Sequence, residues 1–314
     1  MTERRSDGGR VIGIDAGGTK TLGVLMDDRQ AVITRAQSGG SNVRSVGIDA
    51  AERNLGEVLS ALLAHGGVRV VCIGAAGVGR ADDYQQFLTL VRKHVPAETF
   101  VDLRSDAQII LRAATPQRPA MVVIAGTGSV VYGESDQGSV RAGGYGAVIG
   151  DPGSGYAIGL AALRATAEAV DEGVASEDIL SRSVLSALQA ASVDDIIGRV
   201  HRWPPDVALI ASFSKLVAAA YVAGDPGARR IVTRAGEQLA RLFRIVERRI
   251  RTEARLPVVL SGGAFDVIPE LAGALQEQAA SAGPCDFFRL GVEPVQGAAL
   301  IALDILGQRA APPQ

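Results

Sequence analysis

A glycine-rich turn near the start of the chain carries residues suited to binding a polyphosphate. Two apolar runs are joined by Gly17, Gly18, Thr19 and Lys20, and Asp15 lies near the end of the first run. Glycines let backbone N–H groups converge on one anion, while Thr19 adds a hydroxyl donor and Lys20 a positive charge. Asp15 is placed to hold a divalent cation through water. An ordinary hairpin with a glycine turn fits this segment equally well.

The same design recurs in the second half of the chain. An apolar run over residues 120–125 leads into Gly126, Thr127, Gly128 and Ser129, and a second apolar run follows. The similarity is one of pattern rather than of letters, and it indicates an internal duplication. Two unrelated hairpins are the alternative. The presence of two glycine turns suited to phosphate binding, each early in its own half of the chain, favours duplication.

Hydrophobic periodicity predicts the elements that hold these turns. The first half shows three strands and then helix, strand, helix, strand and helix, the last helix beginning near Asp106. Pro116 and Pro119 mark a break in composition. We therefore predict two domains, residues 1–117 and residues 118–314, with a helical insertion over about residues 174–250 of the second.

Composition excludes several classes of partner. The chain has 314 residues, is 47% hydrophobic and carries a net charge of −2, which predicts a globular protein with no basic surface for nucleic acid or an anionic membrane. No apolar run is long enough to span a membrane or to form a signal-peptide core. Cys72 and Cys285 are far apart, and Cys72 lies in an apolar run. A buried thiol at Cys72 and a cytoplasmic location are therefore expected.

Several common catalytic motifs do not fit. Gly13 and Gly18 have the spacing of a Walker A loop, but Thr19 intervenes before Lys20, and a strand rather than a helix follows. No dinucleotide-binding fingerprint or nucleophile-elbow serine occurs, and the three histidines are scattered. Hydride transfer, serine hydrolysis and zinc chemistry therefore lack support.

A third glycine-rich strand end, at Gly262, Gly263 and Ala264, completes a series of motifs placed early, in the middle and late in the chain. In this arrangement the chain resembles the sugar kinase, Hsp70 and actin superfamily. Within it, the chain is similar to the BadF/BadG/BcrA/BcrD-type ATPase family and to the N-acetylglucosamine kinases of that group, most specifically over GGYGAVIGDPGSGYAIG, residues 143–159. The resemblance implies an α/β, two-domain actin-like ATPase (ribonuclease H-like) fold with a duplicated βββαβαβα core.

The resemblance also implies roles for individual residues. ATP phosphates would be held by Gly17, Gly18, Thr19 and Lys20 and by Gly126, Thr127, Gly128 and Ser129, with Asp15 near Mg²⁺. Gly262, Gly263 and Ala264 would lie beside the adenosine. The sugar would be bound by Asn42, Asp106, Gly144, Tyr145 and Asp151. The related kinases can carry tryptophan where this chain has Tyr145, so the choice between N-acetylglucosamine, glucosamine and another hexose stays open.

Asp106 matches the catalytic aspartate of these kinases. Transfer of a γ-phosphoryl group needs an aligned hydroxyl and a carboxylate to accept its proton. Position alone favours a different interpretation, in which Asp106 caps the helix that follows it. The three nucleotide motifs in their expected order favour the catalytic role.

The expected function is ATP-dependent phosphorylation of the 6-hydroxyl of an amino sugar, by domains that close around both substrates. The resemblance further implies a homodimer. Two alternatives are an ATPase that activates a partner enzyme and a non-catalytic nucleotide or sugar sensor. The activators of this family hold an iron–sulfur cluster between subunits, for which Cys72 and Cys285 are poorly placed.

Overall fold

The computed structural model describes residues 9–201, 205–250, 254–280 and 282–310. The chain forms two compact units, and the divisions fall between Pro116 and Gln117 and between Arg289 and Leu290. The second unit is thus a continuous segment, and the first is built from both ends of the described chain.

The first unit begins with an antiparallel meander followed by alternating helices and strands. Its elements are β1 (Arg10–Ala16), β2 (Lys20–Met26), β3 (Val32–Gly39), α1 (Val43–Val46), α2 (Ile48–Leu63), β4 (Val68–Ala75), α3 (Ala81–Arg92), β5 (Phe100–Ser105) and α4 (Asp106–Ala114). The strand order in its sheet is β3-β2-β1-β4-β5. Strands β1 to β3 pair antiparallel, whereas β4 and β5 run parallel to β1.

The second unit repeats this arrangement with additional helices. Its elements are β6 (Ala120–Ala125), β7 (Ser129–Ser135), β8 (Gly138–Gly143), α5 (Gly155–Asp171), α6 (Ile179–Leu188), α7 (Val193–Val200), α8 (Val207–Ser212), α9 (Ser214–Val222), α10 (Pro226–Glu247), β9 (Leu256–Ser261), α11 (Gly263–Val267), α12 (Glu270–Ala279) and β10 (Cys285–Arg289). The strand order β8-β7-β6-β9-β10 matches the first sheet strand for strand. The predicted duplicated α/β core and its helical insertion, α6 to α10, are confirmed. Over the described ranges no single helix is long and apolar enough to cross a membrane.

Helix α13 (Pro294–Ala310) follows the second sheet in sequence but packs on the first unit. A Cβ added to Gly13 of β1 would lie 2.3 Å from the backbone nitrogen of Ala299, and one added to Gly297 would lie 1.9 Å from the carbonyl oxygen of Ile109 in α4. The assignment of residues 290–310 to the second domain is therefore wrong, because these glycines let α13 approach the backbones of β1 and α4 directly. The predicted domain end at residues 311–314 lies outside the described residues.

The first sheet is covered on both faces, which explains why β1 is almost continuously apolar. Ile12 and Ile14 point to the core formed with α2 and α3. Val11 and the glycine at position 13 face the other core, formed with α4 and α13. Asp15 has the same side-chain parity as residues 11 and 13, so β1 directs its carboxyl group to the α4 and α13 side. The fold therefore brings an acid to the end of a buried strand.

Candidate active site

Backbone hydrogen bonds fix one end of the turn between β1 and β2, at Gly17, and over the described ranges leave Gly18 and Thr19 free of them. We call this turn the first tip. The N–H of Gly17 donates to the carbonyl of Lys20 at 3.0 Å, and the carbonyl of Gly17 accepts from the N–H groups of Ser41 and Asn42 at 2.9 and 3.1 Å. Among the described residues, the N–H groups of Gly18 and Thr19 have no acceptor in the protein. Two free donors at an exposed turn are suited to an anionic ligand.

The loop after β3 supports this tip through a close backbone contact. A Cβ on Gly40 would lie 2.2 Å from the carbonyl oxygen of Gly18, so only glycine fits there. Thr21 hydrogen-bonds the buried Ser41 and also donates to the carbonyl of Gly39 at 2.7 Å. Asn42, the next residue, caps α1 by accepting the N–H of Arg44 at 3.0 Å. The predicted sugar-binding Asn42 is thus held directly beside the tip in the first unit.

Asp106 occupies the first position of α4 and is not its cap. Ser105 is the N-cap, with its hydroxyl accepting the N–H of Gln108 while the Gln108 side chain accepts the N–H of Ser105. This reciprocal arrangement is a capping box. The capping interpretation of Asp106 is therefore wrong. The carboxyl group of Asp106 is half-buried at the positive end of a helix, where an ionised carboxylate is stabilised.

Three acidic residues of the first unit interact electrostatically. The pKa of Asp15 is raised from 3.8 to about 6, mainly by burial, and further by the negative charges of Asp106 and Glu293, while Lys20 lowers it. Glu293 lies just before α13 and forms an ion pair with Arg35. Glu293 was not among the predicted site residues, although it directly precedes the proline that starts the last helix. The cluster gives the first unit a concentrated negative charge near the glycine tip.

The carboxylates of the first unit offer few ligands for a metal ion. No group of three or more histidine, cysteine, aspartate or glutamate side chains in the described ranges is arranged to hold one. Mg²⁺ is commonly held in phosphoryl-transfer enzymes by one or two carboxylates together with water and substrate phosphates. Asp15, with its half-buried carboxyl group beside the tip, fits that kind of site and does not fit an all-protein cage.

The tip between β6 and β7 has a closely similar construction. The N–H of Gly126 donates to the carbonyl of Gly128 at 2.8 Å, and the first residues of α5 donate to the tip, Gly155 to Gly126 at 2.8 Å and Tyr156 to Thr127 at 3.2 Å. In the part of the chain that the structure describes, the N–H groups of Thr127 and Gly128 have no protein acceptor. Each unit therefore presents a glycine turn with two free backbone donors.

The third glycine motif lies beside this second tip. Strand β9 runs parallel to β6, with Ser261 opposite Ile124. Gly262 has φ +101°, and a Cβ there would lie 2.4 Å from the carbonyl oxygen of Ala125. Gly263 and Ala264 then begin α11. The structure thus brings the residues predicted for adenosine and those predicted for the phosphates together in the second unit.

The glycine-rich loop after β8 wraps around the same tip. Gly144 has φ +70° and donates its N–H to the carbonyl of Ser129 at 2.8 Å. Tyr145 is 55% exposed, whereas Asp151 is only 8% exposed. The carboxyl group of Asp151 accepts the N–H of Gly146 at 3.1 Å, and burial raises its pKa while the Gly146 and Tyr145 N–H groups oppose the rise. Of the predicted sugar residues here, Tyr145 is accessible and Asp151 is largely enclosed.

A family model matches this chain over residues 12–302, which include both tips, Asp106 and the third glycine motif. The model is that of the BadF/BadG/BcrA/BcrD ATPase family. The chain belongs to this family. The resemblance inferred from the glycine motifs is confirmed.

Curated relatives of this BadF-type protein are sugar kinases. It is 33% identical over 235 residues to the N-acetylmuramic acid/N-acetylglucosamine kinase of Clostridium acetobutylicum, covering 73% of this chain and 76% of the relative. It is 29% identical over 313 residues to the N-acetyl-D-glucosamine kinase of Dictyostelium discoideum, covering 93% and 97%. These matches span most of each protein.

Solved structures agree with the fold of this BadF-type protein. A Chromobacterium violaceum protein proposed to be an N-acetylglucosamine kinase aligns with a TM-score of 0.75, 24% identity and coverage of 94% of this chain and 99% of its own. A ROK family glucokinase from Streptomyces griseus, solved with glucose and AMPPNP, aligns with a TM-score of 0.60, 16% identity and coverage of 94% and 100%. The predicted actin-like, two-domain fold is confirmed.

The cysteines of this BadF-type protein do not present a pair of accessible thiolates. Cys72 is fully buried in the first sheet, and burial together with the charge of Asp102 raises the pKa of its thiol well above the ordinary value. Cys285 is half-buried in β10, and its thiol pKa is also raised, mainly by burial. Iron–sulfur clusters are held by cysteine thiolates, so the activator alternative gains no support from these side chains.

Proposed function

We propose that this protein is an ATP-dependent kinase that phosphorylates the 6-hydroxyl of an amino sugar, N-acetylglucosamine or a close analogue. The observation that carries the proposal is the pair of glycine tips, each with two free N–H donors, in a chain that is 33% identical to an N-acetylmuramic acid/N-acetylglucosamine kinase. Such tips bind phosphate oxygens, and the relatives supply the class of phosphoryl acceptor.

In this proposal both tips bind the phosphates of ATP. Gly18 and Thr19 of the first unit and Thr127 and Gly128 of the second donate N–H groups to phosphate oxygens, and Lys20 adds positive charge. The Gly262 strand end binds the adenosine. Mg²⁺ bound with ATP would neutralise charge on the transferred phosphate, and Asp15 would be the residue that holds it.

Asp106 accepts the proton of the sugar hydroxyl as the hydroxyl oxygen forms a bond to the γ-phosphorus. The bond between that phosphorus and the oxygen it shares with the β-phosphate breaks, and ADP leaves. Two features support this role. The N-cap of its helix is Ser105, supported by Gln108, and Oδ1 of Asp106 accepts the N–H of Ala107 at 2.9 Å, which holds the carboxylate at the start of the helix. The half-buried position also restricts water around it. Asn42 in the first unit, with Gly144, Tyr145 and Asp151 in the second, is proposed to orient the sugar.

A substrate panel tests the proposal directly. Purified protein is incubated with ATP, Mg²⁺ and separate samples of N-acetylglucosamine, glucosamine, N-acetylmuramic acid, N-acetylmannosamine and glucose, and ADP release is followed by a coupled reaction. We expect turnover with at least one amino sugar and a product whose phosphorus couples to the C6 protons in NMR. ATP binding without turnover on any sugar would support the sensor alternative instead. A homodimer and a cytoplasmic location stay predictions, the first checked by sedimentation.

A further inference from the structure

The carboxylate of Asp151 touches the tip that is proposed to bind ATP. Resting on the proposed function, we propose that Asp151 is a positioning residue for nucleotide binding. It holds the second tip in its binding shape before any sugar arrives. This role goes beyond the sugar contact implied by family resemblance, because it makes Asp151 a determinant of ATP affinity.

The carboxylate of Asp151 lies where a side chain at position 128 would be. The three atoms nearest to a Cβ built on Gly128 all belong to Asp151, with Oδ2 at 2.6 Å and Cγ at 3.3 Å. A separation below 3.0 Å is not tolerated by real Cβ atoms, so the carboxylate occupies the space that a side chain at position 128 would fill. The Asp151 side chain thus fills the space that Gly128, which has no side chain, leaves open.

The remaining contacts fix Asp151 firmly in that place. Its other carboxylate oxygen accepts the N–H of Gly146 at 3.1 Å, and its own carbonyl accepts the N–H of Ser154 at 3.2 Å. The hydroxyl of Ser129 donates to the carbonyl of Pro152 at 2.8 Å. The segment from Asp151 to the start of α5 is therefore hydrogen-bonded to the tip, and the Asp151 carboxylate is the group nearest to the Cβ position of Gly128.

The charge of Asp151 argues for a packing role. An anion beside a phosphate-binding turn opposes phosphate binding through Coulomb repulsion. Only 8% of Asp151 is exposed, so most of its surface is packed against the protein. Shape and hydrogen bonding to N–H groups are the properties that remain useful here. The amide of asparagine preserves both of them and removes the charge.

Two substitutions at Asp151 separate shape from charge. Asp151→Asn keeps the volume and an acceptor for the Gly146 N–H, so we expect affinity for AMPPNP with Mg²⁺, measured by calorimetry without sugar, to be unchanged or up to about threefold tighter. Asp151→Ala removes the support of Gly128, and we expect affinity to fall at least about tenfold. The overturning result is AMPPNP affinity for Asp151→Ala equal to wild type, with only sugar binding weakened.

Substitution of Gly128 tests the contact from the other side. Position 128 does not have a positive φ, so alanine fits its backbone, and its Cβ collides only with Asp151. We expect Gly128→Ala to weaken AMPPNP binding in the wild-type background and to add nothing in the Asp151→Ala background, where space is free. Equal losses in both backgrounds would mean that the methyl obstructs ATP directly, which overturns the proposal.

A second alanine at the tip provides the matched comparison. A Cβ on Gly126 meets no atom within 4 Å, so Gly126→Ala adds a methyl to the same turn without touching Asp151. We expect its effect on AMPPNP affinity to be the same with and without Asp151. Thermal melts confirm that each variant is folded. Failure of the wild-type protein to bind AMPPNP would overturn the kinase proposal. Normal binding by both the wild-type protein and the Asp151→Ala variant would overturn only the proposed positioning role of Asp151.

Discussion

Gly13 of β1 lies directly against Ala299 of α13, so closely that a Cβ on the glycine would lie 2.3 Å from the backbone nitrogen of the alanine. The contact joins the first strand of the first sheet to a helix that follows the whole second unit in sequence. Packing of backbone on backbone excludes any side chain between them. The core between the first sheet, α4 and α13 therefore depends on two glycines, Gly13 and Gly297, where α13 packs.

Alanine at position 297 should destabilise the first unit. The added Cβ would lie 1.9 Å from the carbonyl oxygen of Ile109, which a side-chain rotation cannot relieve. Overpacking of this kind costs about 1–3 kcal/mol or more in the free energy of unfolding. Gly307→Ala in the same helix is the control, because its Cβ meets nothing within 4 Å and helix propensity favours alanine by about 1 kcal/mol. Urea unfolding should rank Gly307→Ala at or above wild type and Gly297→Ala clearly below it.

Asparagine at position 106 should abolish most turnover and leave nucleotide affinity nearly intact. Loss of a general base typically costs about 10²- to 10⁴-fold in rate. Because Ser105 and Gln108 form the cap of α4, the helix should remain in place. Asp304→Asn, which changes an exposed acid paired with Arg112, is the control and should leave kcat unchanged. Steady-state kinetics with the best amino sugar measure both variants, and normal kcat in Asp106→Asn would remove this residue from the mechanism.

The raised pKa of Asp15 predicts a pH-dependent cost in stability. With a pKa of about 6 in the folded protein and 3.8 as its ordinary value, Asp15 favours its protonated form on folding. Its cost is absent below about pH 4, grows between about pH 4 and 6, and is complete above about pH 6, where it reaches at most about 3 kcal/mol. Asp15→Asn should therefore be more stable than wild type at pH 7.5 without Mg²⁺, and equal to it near pH 4.

An acid with the opposite shift is the control for that experiment. Asp195 has a lowered pKa because it accepts hydrogen bonds from the N–H of Ala191 and the side chain of Ser192. Its ionised form stabilises the fold above its ordinary pKa, and that contribution is lost as pH falls through the lowered value. Asp195→Asn should therefore be less stable than wild type at neutral pH. Urea midpoints for both variants that move in the same direction with pH would contradict the assignment of these shifts.

Thr166 in α5 has a buried hydroxyl group. It is fully buried, and within the described residues its Oγ1 has no hydrogen-bond partner. An unsatisfied buried polar group costs about 1–3 kcal/mol. Thr166→Val replaces the hydroxyl with a methyl of similar size and should raise the thermal midpoint. Thr166→Ser keeps the hydroxyl and loses the methyl, so this variant should have a lower thermal midpoint than wild type. A lower midpoint for the valine variant would reveal a partner for the hydroxyl.

The sequence predicts features that local chemistry controls. The glycine tips at positions 17–18 and 126–128 were recognisable because glycines between two apolar runs leave the backbone of a turn open to a ligand. The duplicated sheets followed from the repeated pattern around these tips. The partner of α13 was not predictable, since its apolar residues fit a core in either unit. The cap at Ser105 had a readable signal in Gln108 three positions later. The Asp151–Gly128 contact had none, because it depends on the path of a loop.

The separation of the first unit into two segments has a consequence for biosynthesis. Residues 117–289 contain every strand and helix of the second unit, so that unit can complete its core as soon as β10 leaves the ribosome. Strand β1 is made first, yet the face that carries Gly13 is covered only in part, by α4, until α13 has been translated. Exposed apolar strands are prone to aggregate during synthesis. The unit whose translation begins first thus receives its last helix at the end of synthesis. A chain truncated before α13 would contain every described element of the second unit but would lack one helix that covers the first sheet.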